Sequence, residues 1–356
     1  MAAATHPQRV VVADDSRLMR RILADALGRE GFDVVATAAD GDEALAACNE
    51  HRPDAMTLDL HMPGLDGLGV LRALRAGKAE SVPVVVVSAF SPAHGARAVD
   101  ALAEGAMDLV AKPAMGESMA DFTAELSKKV NDAALAGKMR TRRPRVAPRP
   151  IAPRSPVRAA ATPARPGTKK FVVIASSTGG PKALGELIPK LPAPLGTGSL
   201  IVQHMPPGFT ASLAARLDGM SRLTVREAVG SEAMDPRHMY LAPGGSHLRM
   251  GDDRKIRLSD EAPMGGLRPR ADLTIADAAK LYGNQMVLVV LTGMGKDGLE
   301  GARALVSAGG SVMVQDEASC AVWGMPRAVT DAGLPSAILP PKAIAERIAD
   351  RIREAS

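Results

Sequence analysis

The sequence predicts an α/β protein: two doubly wound, mostly parallel α/β domains joined by a flexible basic linker. Three observations lead there. Short, almost wholly apolar runs alternate with amphipathic helical stretches, once before residue 132 and again after residue 170. Continuous apolar runs of that length suit parallel strands covered on both faces, and their alternation with helices indicates a doubly wound sheet. Between the two alternating halves lies a Pro/Arg-rich segment, residues 133–170, that holds 11 Lys+Arg and no acid. The length of 356 residues is also that of about two domains at roughly 150 residues each.

In the first half, RVVVAD (9–14) reads as a strand and residues 16–31 as an amphipathic helix closed by Gly31. DVVATAA followed by GDEALAACNEHRP repeats the unit; AMTLDL (55–60) and VPVVVVSAF (82–90) are two further apolar strands, and a fifth ends at Lys112 and Pro113. Function in such a sheet lies at the carboxyl ends of the strands. Asp14 and Asp15 stand there on the first strand, Asp59 on the third, Ser88 on the fourth and Lys112 on the fifth. Carboxylates gathered at one point repel unless a hard cation neutralises them, and oxygen ligands with room for water suit Mg2+. With a lysine and a hydroxyl added, the site can hold a phosphoryl group, and one carboxylate can accept it as an aspartyl-phosphate. Singly, each residue says little, since a strand-end Asp is commonly a helix cap.

In the second half, FVVIAS (171–176) is a strand followed by a Gly-rich turn into a helix, with Gly179 and Gly180 letting the backbone bend. SLIVQH (199–204) is the next strand and PPGFTASLAARLD a helix; residues 238–250 read as a hairpin about Gly244 and Gly245. QMVLVVLTG (285–293) and GSVMVQ (310–315) are strands, with a helix from Asp297 to Val306 between them. Ser176, Ser177 and Thr178 follow the first of these strands, His204 ends the second, and Asp297 follows the Val/Leu-rich one. A hydroxyl, an imidazole and a carboxylate on neighbouring strand ends can meet as nucleophile, base and orienting acid. Backbone N–H groups at the Gly-rich helix start and in the TGMG turn can serve as an oxyanion site. ASSTGGP is not the G-x-S-x-G elbow of α/β-hydrolases, and the order Ser, His, Asp differs from theirs. Spacing alone leaves other readings open: a phosphate-binding STGG turn, a structural His204, an N-capping Asp297, and Ser176 in place of Ser177.

The charge is unevenly distributed. Residues 1–132 carry a net −7, residues 133–170 a net +11 and residues 171–356 a net +1, so the overall +5 comes from the linker. Seven prolines between Pro144 and Pro166, with like charges among them, give an extended, solvated tether. Its basic charge is therefore no argument for nucleic acid. Aromatic residues make up only 2%, which excludes a base-stacking platform. No helix-turn-helix pattern is present, and no nucleic-acid partner is expected. Two cysteines, Cys48 and Cys320, are too few for a disulfide framework and fit a reducing, cytoplasmic setting. The N-terminal residues lack the apolar region of a signal peptide, and no apolar run is long enough for membrane insertion.

Taken together and in order, Asp14, Asp15, Asp59 with HMPGLDG after it, Ser88 and Lys112 resemble the response-regulator receiver domain, over residues 9–128. That resemblance implies a flavodoxin-like fold with Asp59 as phosphoacceptor. It also implies Mg2+ held by Asp14, Asp15, Asp59 and the backbone carbonyl of His61, with Ser88 and Lys112 on the phosphoryl oxygens. Leu109 departs from the pattern, standing where receivers usually carry an aromatic switch residue. SSTGGP, IVQHMPPGFT, LAPGGSH, LTGMGKDG and VWGMPRAV resemble the C-terminal domain of the chemotaxis protein-glutamate methylesterase (CheB) family, placing a Rossmann-like catalytic domain at 171–354. The resemblance implies Ser177 as nucleophile, His204 as base and Asp297 as its partner, with the Met294 backbone at the oxyanion site and Thr178 beside the nucleophile. It further implies hydrolysis, without a cofactor, of glutamate γ-methyl esters on methyl-accepting chemoreceptors, with methanol released and receptor glutamines deamidated. A chemotaxis histidine kinase would be the phosphodonor, and an intramolecular contact of the unphosphorylated receiver with the catalytic domain would cover the cleft. Two further departures are Ala175-Ser176, where the family often has Gly-Ala, and Arg270, where it commonly has Ser. If this stretch lines the cleft, Arg270 would alter substrate preference; it is not expected to bear on the Ser-His-Asp set.

Overall fold

The computed structural model describes residues 7–77, 82–89, 92–113, 118–141 and 170–354, and the chain divides into two compact units, Met1–Thr141 and Arg142–Ser356. The first unit runs β1 (Arg9–Ala13), α1 (Arg17–Arg29), β2 (Asp33–Ala38), α2 (Gly41–His51), β3 (Ala55–Leu58), α3 (Gly67–Ala76), β4 (Val84–Ser88), α4 (Pro92–Glu104), β5 (Asp108–Ala111) and α5 (Met119–Thr141). All its strand pairings are parallel, in the order β2-β1-β3-β4-β5. The order reverses at β1 and β3, and a crevice opens above their carboxyl ends at such a switch point. β3 and β4 are buried along their whole length, as their apolar composition requires.

Helix starts are set by side chains. Ser16 Oγ accepts the Met19 N–H at the head of α1, and Asp66 accepts that of Gly69 at the head of α3. At α2 the cap is reciprocal: Asp40 accepts the Glu43 N–H at 2.9 Å and Glu43 accepts the Ala39 N–H at 2.7 Å. Each such cap stabilises its helix by about 1 kcal/mol. Helix α5 runs on to Thr141, past residue 128 and across the start of the segment read as linker. Buried Val130, Ala133, Ala134 and Ala136 hold it there, since their helical spacing places apolar groups against the sheet. Residues 142–169 of that segment lie outside the described residues.

The second unit runs β6 (Phe171–Ser176), α6 (Gly180–Leu187), β7 (Ser199–Gln203), α7 (Phe209–Asp218), β8 (Thr224–Glu227), β9 (His238–Leu241), β10 (His247–Met250), β11 (Ile256–Ser259), α8 (Ala271–Tyr282), β12 (Met286–Val290), α9 (Leu299–Ser307), β13 (Ser311–Gln315), α10 (Met325–Asp331), β14 (Ala337–Leu339) and α11 (Pro341–Arg353). Seven strands pair in parallel in the order β14-β13-β12-β6-β7-β9-β8. β6 is central, and the chain direction across the sheet reverses between β6 and β12, which makes their carboxyl ends the switch point. Phe171 stacks on Tyr282 with ring centroids 4.0 Å apart, fastening α8 to β6.

The hairpin expected over residues 238–250 does not form. Both edges of β9 are taken, by β7 and β8, and β10 pairs antiparallel with β11 in a separate two-stranded sheet. The Gly244-Gly245 turn carries the chain out of the main sheet. A Cβ on Gly244 would stand 2.5 Å from the Pro206 carbonyl carbon, and Gly245 has φ +85°, so only glycines permit the turn.

Candidate active site and phosphoryl site

In the first unit the strand ends bring together the residues singled out from the sequence. Carboxylate oxygens of Asp14, Asp15 and Asp59 lie within 4.8 Å of one another. Asp14 and Asp59 are buried, whereas Asp15 is exposed. Lys112 Nζ reaches Asp14 Oδ2 and Asp59 Oδ2, each at 2.7 Å. Burial pushes the Asp14 carboxyl above its usual range, against the pull of Lys112. Burial by itself would lower the Lys112 ammonium, but hydrogen bonds and charge from Asp14 and Asp59 more than reverse this and raise it. Asp59 Oδ1 accepts the Leu60 N–H at 2.7 Å, leaving Oδ2 on the lysine. Ser88 is fully buried at the end of β4, with Lys112 donating its N–H to the Ser88 carbonyl. The exposed His61 packs its ring edge-on to His94 at 4.3 Å; burial, His94 and Arg97 lower its pKa. Leu109, on β5, is 1% exposed.

In the second unit β6 and β7 are in register at Ser176 and Gln203, so Ser177 and His204 leave the two strands side by side. The Ser177 N–H donates to the Thr292 carbonyl at 3.0 Å, and that of Gly180 donates back to the Ser177 carbonyl at 2.7 Å. The two serines differ sharply. Ser176 is fully buried and donates to Gln203 Oε1 at 2.7 Å, while Ser177 is half-buried. Gln203 Nε2 in turn donates to the carbonyls of Ser177 and His204, at 3.0 and 2.9 Å.

His204 Nε2 lies 2.7 Å from Asp297 Oδ2, and its Nδ1 is buried without a hydrogen-bond partner. The carboxylate on Nε2 assigns the ring proton there, which leaves the Nδ1 lone pair to accept. Asp297 is 2% exposed. Its Oδ2 also accepts the Ala271 N–H at 2.7 Å, and its Oδ1 accepts those of Asp272 and Gly298, both at 2.9 Å. Asp297 therefore caps α8 from outside the helix. Burial would raise this carboxyl, but the hydrogen bond and charge of His204, with the two α8 amides, hold it well below the usual range.

The turn after β12 closes on the Ser177 loop. A Cβ on Gly293 would stand 2.7 Å from Ser177 Cβ and 2.5 Å from Met325 Sδ, so the backbone passes directly against Ser177. Thr178 is buried, and Thr292 Oγ1 donates to its carbonyl at 3.0 Å while accepting the Val322 N–H at 2.9 Å.

Arg270 overturns one expectation. Its side chain is only 18% exposed, and its Nε lies 3.0 Å from Asp297 Oδ1, so it bears directly on the Ser-His-Asp set. Its Nη2 pairs with Asp272 Oδ2 at 2.8 Å. Asp272 Oδ1 accepts the N–H groups of Gly298 and Gly301, both at 2.9 Å, and so caps α9. The cause is tertiary: α8 and α9 start side by side, Gly301 lying so close to Ile275 that a Cβ would come within 2.6 Å of its Cβ. Sequence reasoning also missed Gln203, Thr292 and Asp272. Gln203 carried a usable signal, as a polar residue ending an otherwise apolar strand.

A carboxylate cluster with a lysine on one parallel sheet, followed by serine, imidazole and carboxylate on a second, defines a response-regulator-class protein with a hydrolase-type second unit. The CheB methylesterase family model matches residues 172–348, and that of the response regulator receiver domain matches residues 10–123. A protein-glutamate methylesterase/protein-glutamine glutaminase of Symbiobacterium thermophilum is 40% identical over 357 residues, covering 98% of each chain. One from Myxococcus xanthus is 42% identical over 334 residues, 92% of this chain and 93% of that one. The crystal structure of the Thermotoga maritima CheB methylesterase catalytic domain aligns with a TM-score of 0.50 at 42% identity, covering 51% of this chain and 98% of that one. The chain belongs to the protein-glutamate methylesterase/protein-glutamine glutaminase family, with a receiver domain ahead of its CheB methylesterase domain. Among the described residues, no helix is long and apolar enough to cross a membrane.

Proposed function

We propose that this chain is a phosphorylation-regulated hydrolase that removes γ-methyl groups from chemoreceptor glutamates, releasing methanol, and deamidates receptor glutamines. The observation that carries the reading is His204, fixed through Nε2 by Asp297 with a free Nδ1, on the strand end beside Ser177. Ser177 Oγ attacks the ester carbonyl carbon as its proton passes to His204 Nδ1. Asp297 stabilises the imidazolium that results. The oxyanion faces backbone donors at Met294, next to Thr178; one such donor is worth about 3 kcal/mol. Nδ1 then gives its proton to the departing methoxy group. Water, activated by the same nitrogen, cleaves the acyl-enzyme to the free glutamate. A glutamine side chain follows the same course with ammonia as the leaving group. Ser176 is spent on Gln203, which favours Ser177 as the nucleophile.

In the receiver, Asp59 accepts the phosphoryl group from a chemotaxis histidine kinase. The clustered oxygens of Asp14, Asp15 and Asp59 fit Mg2+, with the His61 carbonyl as a further ligand. Mg2+ held there would offset the negative charge on the phosphoryl oxygens. Ser88 and Lys112 bind those oxygens. Phosphorylation then shifts the population from a restrained to an active catalytic unit, in the cytoplasm, where receptor helices and kinase are found. Ser177→Ala should abolish methanol release from methylated receptors while Ser176→Ala retains it, and the reverse result would refute the assignment. Asp59→Ala should lose stimulation by a small phosphodonor and keep its basal rate.

A further inference from the structure

We propose that Arg270 is a positioning residue of the esterase site: by sharing the charge of Asp297 with His204, it sets the pH at which the imidazole becomes available as base. The inference rests on the Ser177-His204-Asp297 reading above and goes beyond it. Asp297 accepts from His204 Nε2 and three backbone N–H groups, and the Arg270 guanidinium lies against it as an ion pair, Nε 3.0 Å from Oδ1. Of these, only Arg270 carries a charge that no working pH removes.

The charged and titratable side chains bonded into this cluster come from several elements. Asp297 stands in the turn before α9, and Arg270 and Asp272 stand at the head of α8. His247 of β10 lies behind Arg270, its Nδ1 accepting the Arg270 N–H at 3.1 Å. Arg270 spans the two carboxylates, with Nε on Asp297 and Nη2 on Asp272, while Nη1 donates to the Met264 carbonyl at 3.0 Å. Burial and the nearby Asp297 push the Asp272 carboxyl upward, so the two acids need a fixed cation between them. The guanidinium supplies it, hydrogen-bonded to Asp272 and ion-paired with Asp297.

With Arg270 present, the cluster faces His204 with one net negative charge. Without it there would be two, and the imidazole would keep its proton to a higher pH. A purely structural Arg270, joining the heads of α8 and α9, would lower activity uniformly and leave the pH dependence in place.

The test is the pH profile of kcat/KM for methanol release from methylated receptor membranes by the full-length enzyme. In Arg270→Gln the acid limb should move up by about one unit, giving roughly tenfold lower kcat/KM on the acid side and little change on the alkaline side. Arg270→Lys, which keeps the charge, should bring the limb back. Asp272→Asn, which still offers an acceptor to the α9 amides, should move the limb down, and it decides the matter if Arg270→Gln fails to fold. An unmoved limb in Arg270→Gln, or in Asp272→Asn, overturns the proposal whatever happens to kcat. Ser177→Ala separates the two claims. Surviving methanol release there overturns the nucleophile reading, whereas a silent Ser177→Ala with unmoved limbs overturns only the role of Arg270.

Discussion

The Ser176 hydroxyl donates to Gln203 Oε1 at 2.7 Å, and both residues are buried at the paired ends of β6 and β7. Through its Nε2, the same glutamine holds the carbonyls of Ser177 and His204. One side chain thus fixes the backbone at both Ser177 and His204. Gln203→Leu keeps the volume but leaves the Ser176 hydroxyl and the His204 carbonyl without partners, and leaves the Ser177 carbonyl with the Gly180 N–H alone. At about 1 kcal/mol or more for each orphaned group, we expect a stability loss of about 2 kcal/mol and a kcat at least tenfold lower, with KM nearly unchanged. Thermal unfolding and steady-state methanol release would check it, and a proportional rise in KM with intact kcat would contradict it.

Asp297→Asn should be more damaging than its size suggests. An amide presents an N–H2 group to one side, so it cannot satisfy His204 Nε2 and all the α8 and α9 amides together. If its oxygen stays on the amides, the imidazole loses its charge partner and its tautomer is no longer fixed. We expect kcat to fall by about 10³–10⁴-fold, with a lowered melting temperature from the weakened α8 cap. A variant with normal kcat would remove Asp297 from the mechanism.

Gly293→Ala probes the approach of the β12 turn to the serine. The new methyl would stand 2.7 Å from Ser177 Cβ and 2.5 Å from Met325 Sδ, closer than packed carbon atoms come. Met325 is long enough to shift, but Ser177 is held by its N–H bond to Thr292. The serine must therefore move or rotate. A displacement of about 1 Å can cost 10²-fold in rate, so we expect a loss of that order with the fold retained. Equal activity in the two proteins would show that the turn is not pressed against Ser177.

Much of this architecture could be read before any coordinates, because a parallel sheet writes itself as apolar runs and puts its polar residues at their carboxyl ends. Asp14, Asp59, Ser177 and His204 all stand just past such runs. What escaped depended on three-dimensional proximity. HMYL and HLRM around two glycines look alike whether they pair with each other or part into separate sheets, and here β7 and β8 had already claimed both edges of β9. Arg270 lies far from Asp297 in sequence and meets it only because α8 and α9 start together. Helix α5 continues beyond residue 128 because its later alanines find the sheet, a contact that composition alone does not announce.

Asp132 makes the receiver's stability depend on pH in a direction opposite to that of most carboxylates. It sits on α5, 7% exposed, and burial pushes its pKa up to about 6, helped by Asp108 and opposed by Lys128 and Lys129. Lys129 is engaged elsewhere, at 3.3 Å from Asp108 and 2.9 Å from Glu125. In the unfolded chain the same group titrates near about 3.9. The folded state therefore binds its proton more tightly, and ionising the group costs stability. That cost is absent below the unfolded value, grows as pH rises between the two values and is complete above about 6. Asp132→Asn removes it. We expect the variant's receiver to be more stable than the parent by about 1 kcal/mol at pH 8, allowing for partial solvation, and no more stable at pH 4. Hydrogen exchange of the α5 amides in the full-length protein at both pH values would read this directly. Equal protection of variant and parent at pH 8 would show that Asp132 ionises in the folded receiver without cost.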